Sequence, residues 1–95
     1  MIVHLLVVYD IASSPRREAV SGVLAARGFR VQFSVFEYEV ESVVERTHLT
    51  EHLSALIDPV EDQIRIYVLT SVAGVPERIV LGQREIEEPR GFWLL

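Results

Sequence analysis

Residues 29–40 read Phe-Arg-Val-Gln-Phe-Ser-Val-Phe-Glu-Tyr-Glu-Val, and whether this stretch holds one strand or two decides the fold. It alternates, with Phe29, Val31, Phe33 and Val35 on one side and Arg30, Gln32 and Ser34 on the other, until Phe36 breaks the polar series. A period of two is the mark of a strand. No Asn-Gly or Gly-Gly pair signals a hairpin turn inside it. The elements on either side supply the answer.

Upstream, Ile2 to Tyr9 (IVHLLVVY) is a short β-branched apolar run, the pattern of a central parallel-type strand covered on both faces. Ser13-Ser14-Pro15 then offers a cap followed by proline at a first helical position, where the missing N–H is no loss. Ala19, Val20, Val23, Leu24 and Ala26 keep roughly helical spacing, and Gly28 is placed as a left-handed terminator, which predicts a helix over 15–27. Downstream, Ser42-Val43-Val44-Glu45 matches the capping box, and Leu49, Leu53, Leu56 and Ile57 form an apolar stripe before Asp58-Pro59, predicting a second helix over 43–57. Residues 63–71 (QIRIYVLTS) alternate as a strand, and 78–81 suit a short last one.

The order becomes β-α-β-(β)-α-β-β. If residues 29–40 split near Phe33-Ser34, the chain is an α+β, ferredoxin-like βαββαβ sandwich with an extra C-terminal strand. That split is inferred from topology. An open sheet edge invites pairing with another chain, so exchange of edge strands in a homodimer is expected.

Ninety-five residues make one domain. With 49% apolar and 24% charged residues the composition is that of a globular chain. No apolar run approaches the ~18 residues of a membrane span, and the start lacks the basic residues of a secretory signal, so no membrane partner and a cytoplasmic location are expected. The absence of cysteine excludes disulfides, thiolate zinc sites and cysteine nucleophiles. The net charge of −5 disfavours non-specific nucleic-acid binding. Yet residues 1–36 carry four Arg against Asp10 and Glu18, so any phosphate surface belongs to the first third of the chain. All nine basic residues are Arg, which suits bidentate phosphate contacts but is more simply explained by codon bias.

Asp10 closes the first apolar run, at the strand end where open α/β sheets place ligands. It either tightens the strand-to-helix loop or holds magnesium, which accepts one or two protein carboxylates and keeps its waters; two copies meeting at a dimer axis would suffice. Arg16 and Arg17 fall in the first helical turn, where free N–H groups also favour anions. Arg30, Gln32, Ser34 and Phe36 would share one surface, with phosphate contact from Arg30 and base stacking from Phe36, unless Phe36 belongs to the core. Asp58, Glu61 and Asp62 lack the spacing of a calcium loop and read as solvated charge. His48 and His52 read as an exposed helix face and His4 as a core or interface histidine.

Val7-Val8-Tyr9-Asp10-Ile11, Arg16-Arg17, Gly28, Arg30-Val31-Gln32-Phe33-Ser34-Val35-Phe36-Glu37, Ile57-Asp58-Pro59 with Glu61-Asp62, and Ile64-Arg65-Ile66-Tyr67 together resemble the CRISPR-associated Cas2 family, the small partner of the CRISPR integrase, over residues 3–82. The resemblance implies a homodimer in which the two Asp10 carboxylates face each other and share one magnesium ion. It implies a metal-dependent endonuclease acting on single-stranded RNA or double-stranded DNA, and a scaffold for the integrase during spacer acquisition. By position, Asp10, Arg17, Arg30 and Phe36 match residues implicated in the nuclease, with Tyr9 and Ser34 behind them. Nucleic-acid contact would be confined to Arg16, Arg17, Arg27, Arg30 and Ser34. The tail 83–95 carries no transferable motif and is expected to dock on the integrase or cover the chain's own sheet. A purely structural subunit and a toxin-like ribonuclease of the same fold are the competing readings.

Overall fold

The computed structural model describes residues 2–69 and 77–84. Its elements are β1 (Val3–Asp10), α1 (Ser14–Ala25), β2 (Gly28–Gln32), β3 (Val35–Val40), α2 (Val43–Leu56), β4 (Gln63–Val68) and β5 (Glu77–Gly82). The sheet order is β2-β3-β1-β4-β5, with every neighbouring pair antiparallel. This is the ferredoxin-like arrangement with an added edge strand. The tail beyond Arg84, and Thr70-Ser71 at the end of the expected fourth strand, lie outside the described residues.

Local chemistry sets the helix starts. Ser13 caps α1, its hydroxyl accepting from the Arg16 N–H, and Pro15 follows in the first turn. Ser42 caps α2 by accepting from the Glu45 N–H, while Glu45 reaches back to accept from the Glu41 N–H, one residue beyond the usual reciprocal partner. Val20 and Leu24 of α1 and Leu49 and Leu53 of α2 are buried against Leu5, Val7, Tyr9, Phe36, Tyr38, Val40, Ile64, Ile66 and Val68. Both helices therefore cover one face of the sheet. A fully buried Leu contributes about 1.5–3 kcal/mol relative to an exposed one, so these four residues anchor the helix layer. Among the described residues no helix is long and apolar enough to cross a membrane.

Four expectations are corrected. β1 reads like a parallel strand, yet both its neighbours run antiparallel; its apolar residues on the face opposite α1 and α2 are accounted for by a small cluster of Leu6, Val8, Val35 and Tyr67. Gly28 is not the left-handed helix terminator, since α1 ends on Ala26 in right-handed geometry and the positive φ among the described glycines belongs to Gly82. Gly28 is required by proximity: a Cβ there would lie 2.6 Å from the Glu37 carbonyl oxygen and 2.7 Å from that of Leu24.

The alternation across 29–40 also fails as a single register. The turn falls at Phe33-Ser34, but a bulge between Arg30 and Gln32 leaves Val31 unpaired and shifts the faces. Arg30 pairs with Phe36 and points to the helix side, whereas Gln32 pairs with Val35 on the opposite side. Phe29, Val31 and Phe33 are exposed as a result, and Phe36, Tyr38 and Val40 take the core positions. Of the two readings of His4, core or interface, the core one fails: it is exposed on the face opposite α1 and α2, 3.3 Å from Glu39.

Candidate functional site

The C-terminal end of β1 positions the candidate residues, and strand geometry divides them. Tyr9 faces the helices and is buried; Asp10, the next residue, turns to the other face with a 42% exposed side chain. The Asp10 Oδ2 accepts from Arg84 Nε at 2.9 Å, and Arg84 also donates to the Glu61 carbonyl oxygen at 3.2 Å. No sequence signal marked Arg84; β5 pairing beside β4 delivers it to the end of β1.

On the helix side, Arg17, Arg30, Tyr9 and Phe33 converge on a groove of about 370 Å³. Arg17 donates to Ser14 Oγ at 2.8 Å and reaches the Ile11 carbonyl oxygen at 3.5 Å. Arg30 donates to Ser21 Oγ and lies over the Phe36 ring, 5.1 Å from its centroid. Among the described residues neither guanidinium is paired with a carboxylate. Phe36, only 1% exposed, also stacks on Tyr9 with centroids 6.3 Å apart. Its ring is covered by its own chain, so its contribution is to hold Arg30 in place through a cation–π contact.

The other basic candidates are engaged. Arg27 is ion-paired with Glu45. Arg16 Nε donates to Asp62 Oδ2 at 2.7 Å, and its Nη2 reaches Asp62 Oδ1 and Glu61 Oε2, both at 3.2 Å. Ser34 is half-buried, and its carbonyl oxygen accepts from the Tyr9 N–H at 3.0 Å.

Asp62 overturns the reading of a solvated acidic loop. It is 0% exposed, and its carboxylate additionally accepts from the Ala12 N–H at 2.9 Å and the Asp58 N–H at 2.8 Å. Burial pushes its pKa up, but the Arg16 guanidinium and the two backbone N–H groups outweigh that and hold it at about 2. Asp58 is drawn below the ordinary carboxylate range by the N–H groups of Glu61 and Val60. These bonds pin the loop after β1 to the loop before β4, and so fix the strand end that carries Asp10. Asp58, Glu61 and Asp62 were visible as a cluster; their spacing held no hint that one is the buried anchor.

His48 and His52 are exposed on α2 as expected. Among the described residues no group of three His, Cys, Asp or Glu side chains is arranged to hold a metal. Asp10 supplies one accessible carboxylate, a donor set that fits magnesium only as a water-rich site completed by a second carboxylate.

Comparison with known proteins accords with this geometry. Residues 1–73 match the family model described as CRISPR associated protein Cas2. A Chloroflexus aurantiacus protein named CRISPR-associated endoribonuclease Cas2 3 is 45% identical over 65 residues, spanning 68% of this chain and 69% of that protein. The Mycobacterium tuberculosis CRISPR-associated endoribonuclease Cas2 is 39% identical over 74 residues, 75% of this chain and 61% of its own length. Among solved structures, a Thermus thermophilus hypothetical protein, TT1823, superposes with a TM-score of 0.67 at 31% identity, covering 81% of this chain and 96% of that one. Streptococcus pyogenes Cas2, crystallised at pH 6.5, gives 0.64 at 32% identity over 70% and 86% of the two chains.

Proposed function

The chain belongs to the CRISPR associated protein Cas2 family, and from that premise we propose that it is a homodimeric subunit of CRISPR adaptation, a scaffold for the integrase during spacer acquisition that also carries a magnesium-dependent endonuclease activity on single-stranded RNA or double-stranded DNA. The carrying observation is Asp10: an accessible carboxylate at the end of β1, on the sheet face opposite α1 and α2. On that face Val8, Val35 and Tyr67 are buried within the chain's own small cluster, with Leu6 packed against it.

In the dimer, the two Asp10 side chains would hold the ion. Magnesium supplies Lewis-acid polarisation and lowers the pKa of bound water. Arg17 and Arg30, on the other side of the strand end, bind a phosphate of the same nucleic-acid strand on guanidiniums that no carboxylate among the described residues competes for. Phe36 keeps Arg30 at that station. Arg16 and Arg27, paired within the chain, contribute to the fold.

The test separates enzyme from scaffold. Asp10→Ala is expected to abolish magnesium-dependent cleavage while light scattering still gives a dimer mass; spacer acquisition surviving in the same variant assigns the primary role to the scaffold. A monomer mass for the wild-type chain at micromolar concentration sinks the shared site.

The purely structural reading is favoured by two observations. Asp10 and the two arginines occupy opposite sides of the strand end, and Asp10 is already ion-paired. Undiminished cleavage in Asp10→Ala, or no cleavage by the wild type, supports it.

A further inference from the structure

The groove between α1 and the β2–β3 turn has features that phosphate binding alone does not need. Phe33 stands at its rim, 87% exposed, the most exposed large apolar side chain among the described residues. Gly22 lies in its wall, in the middle of α1, and a Cβ built there would meet nothing within 4 Å. A mid-helix glycine lowers stability by about 0.5–1 kcal/mol relative to alanine. Here no steric reason within the chain requires it, and the space it leaves belongs to the groove. Arg17 and Arg30 supply two unneutralised guanidiniums, and the Tyr9 and Ser21 hydroxyls line the same cavity. Glu18 stands at the groove too, which disfavours a second phosphate.

We propose that this groove binds one unstacked nucleotide of a single-stranded nucleic acid, with the phosphate on Arg17 and Arg30 and the base laid against Phe33. The inference rests on the nucleic-acid reading above and narrows it to a single-stranded ligand. The volume of about 370 Å³ falls at the small end of the ~300–1,000 Å³ of ligand sites. An aromatic ring is able to stack only on a base whose face is free, whereas a duplex offers base edges in its grooves. In a chain of net charge −5, two local arginines and one stack also explain how binding proceeds without a broad basic surface.

The experiment measures binding of the full-length protein to fluorescein-labelled hexauridylate and to a labelled 20-base-pair DNA duplex by anisotropy. Phe33→Ala is expected to weaken hexauridylate binding about 5- to 100-fold, the loss of one stacked base, and to leave duplex binding unchanged. Gly22→Leu, which fills the groove with a good helix former, is expected to weaken hexauridylate binding without lowering the thermal midpoint. The wild-type slope of log K against log salt should be about −0.7, for one phosphate neutralised on a single strand. Wild-type affinity for hexauridylate in both variants overturns the proposal, even when Arg17→Gln still weakens binding and so sustains the broader reading. Equal loss on both ligands overturns it as well. A wild-type protein that binds neither ligand overturns the nucleic-acid reading and the groove with it.

Discussion

Arg84 Nε lies 2.9 Å from Oδ2 of Asp10, joining residues 74 positions apart and placing a guanidinium on the carboxylate proposed to hold magnesium. A cation arriving at Asp10 has to displace Arg84 or share the carboxylate with it. Both side chains are 42% exposed, so the pair contributes only about 0.2–1 kcal/mol. Arg84→Ala is therefore expected to raise affinity for manganese, used as a paramagnetic stand-in, by roughly two- to five-fold in an electron paramagnetic resonance titration. An unchanged or weaker affinity would show that Arg84 does not compete for the site.

Neighbouring arginines should behave differently. Arg16→Ala leaves Asp62 buried without its cation, and breaking such a pair costs about 3 kcal/mol. For a domain of this size that lowers the melting temperature by roughly 10–20 °C. Among the described residues Arg17 hydrogen-bonds Ser14 and the Ile11 carbonyl and no carboxylate, so Arg17→Ala should stay within about 0.5 kcal/mol of wild type. Circular dichroism melts of the two variants decide it, and coincident curves would refute the assignment.

Acid should act through Asp62. Its pKa is held at about 2 in the folded chain against an ordinary 3.8, so the folded state favours the ionised form. The stabilisation, about 2 kcal/mol, is complete above the ordinary value and is lost as pH falls through about 2. In urea titrations Asp62→Asn is expected to be less stable at pH 7, with the gap to wild type narrowing as the pH approaches 2. A constant gap across that window would remove Asp62 from the acid response.

Two glycines give opposite predictions. Gly82 has φ +84°, and a Cβ there would lie 2.1 Å from the Asp62 carbonyl oxygen. Gly82→Ala should cost roughly 2–5 kcal/mol, from the left-handed backbone and the clash together, and should release the end of β5 that delivers Arg84. Gly22→Ala meets open space and should stabilise by about 0.5–1 kcal/mol. Urea midpoints read both, and a destabilised Gly22→Ala would mean that the helix has a use for that glycine which its surroundings do not reveal.

Much of the fold was legible because its signals are local. Ser13 with Pro15, and Ser42 with Glu45, announce helix starts through hydrogen bonds that span three or four residues. The hairpin at Phe33-Ser34 followed from element order, though its turn residues are undistinguished. The bulge at Val31 was not legible, since nothing in Arg-Val-Gln marks an unpaired residue; it moved Gln32 off the groove and left Arg30 over Phe36. Asp62 looked like its neighbours Asp58 and Glu61 because burial is a property of packing.

The order of strands and helices, their caps, the family and the strand-end position of Asp10 could all be read along the chain, because each depends on periodicity or on residues close together in it. Which charges pair with one another emerged from the folding of distant segments onto each other. That folding placed Arg16 on a buried carboxylate and Arg84 on Asp10, and left Arg17 and Arg30 without an acidic partner among the described residues. A charge finds its partner across the sheet, through contacts 46 and 74 residues apart in sequence, and such distances leave no trace in local pattern.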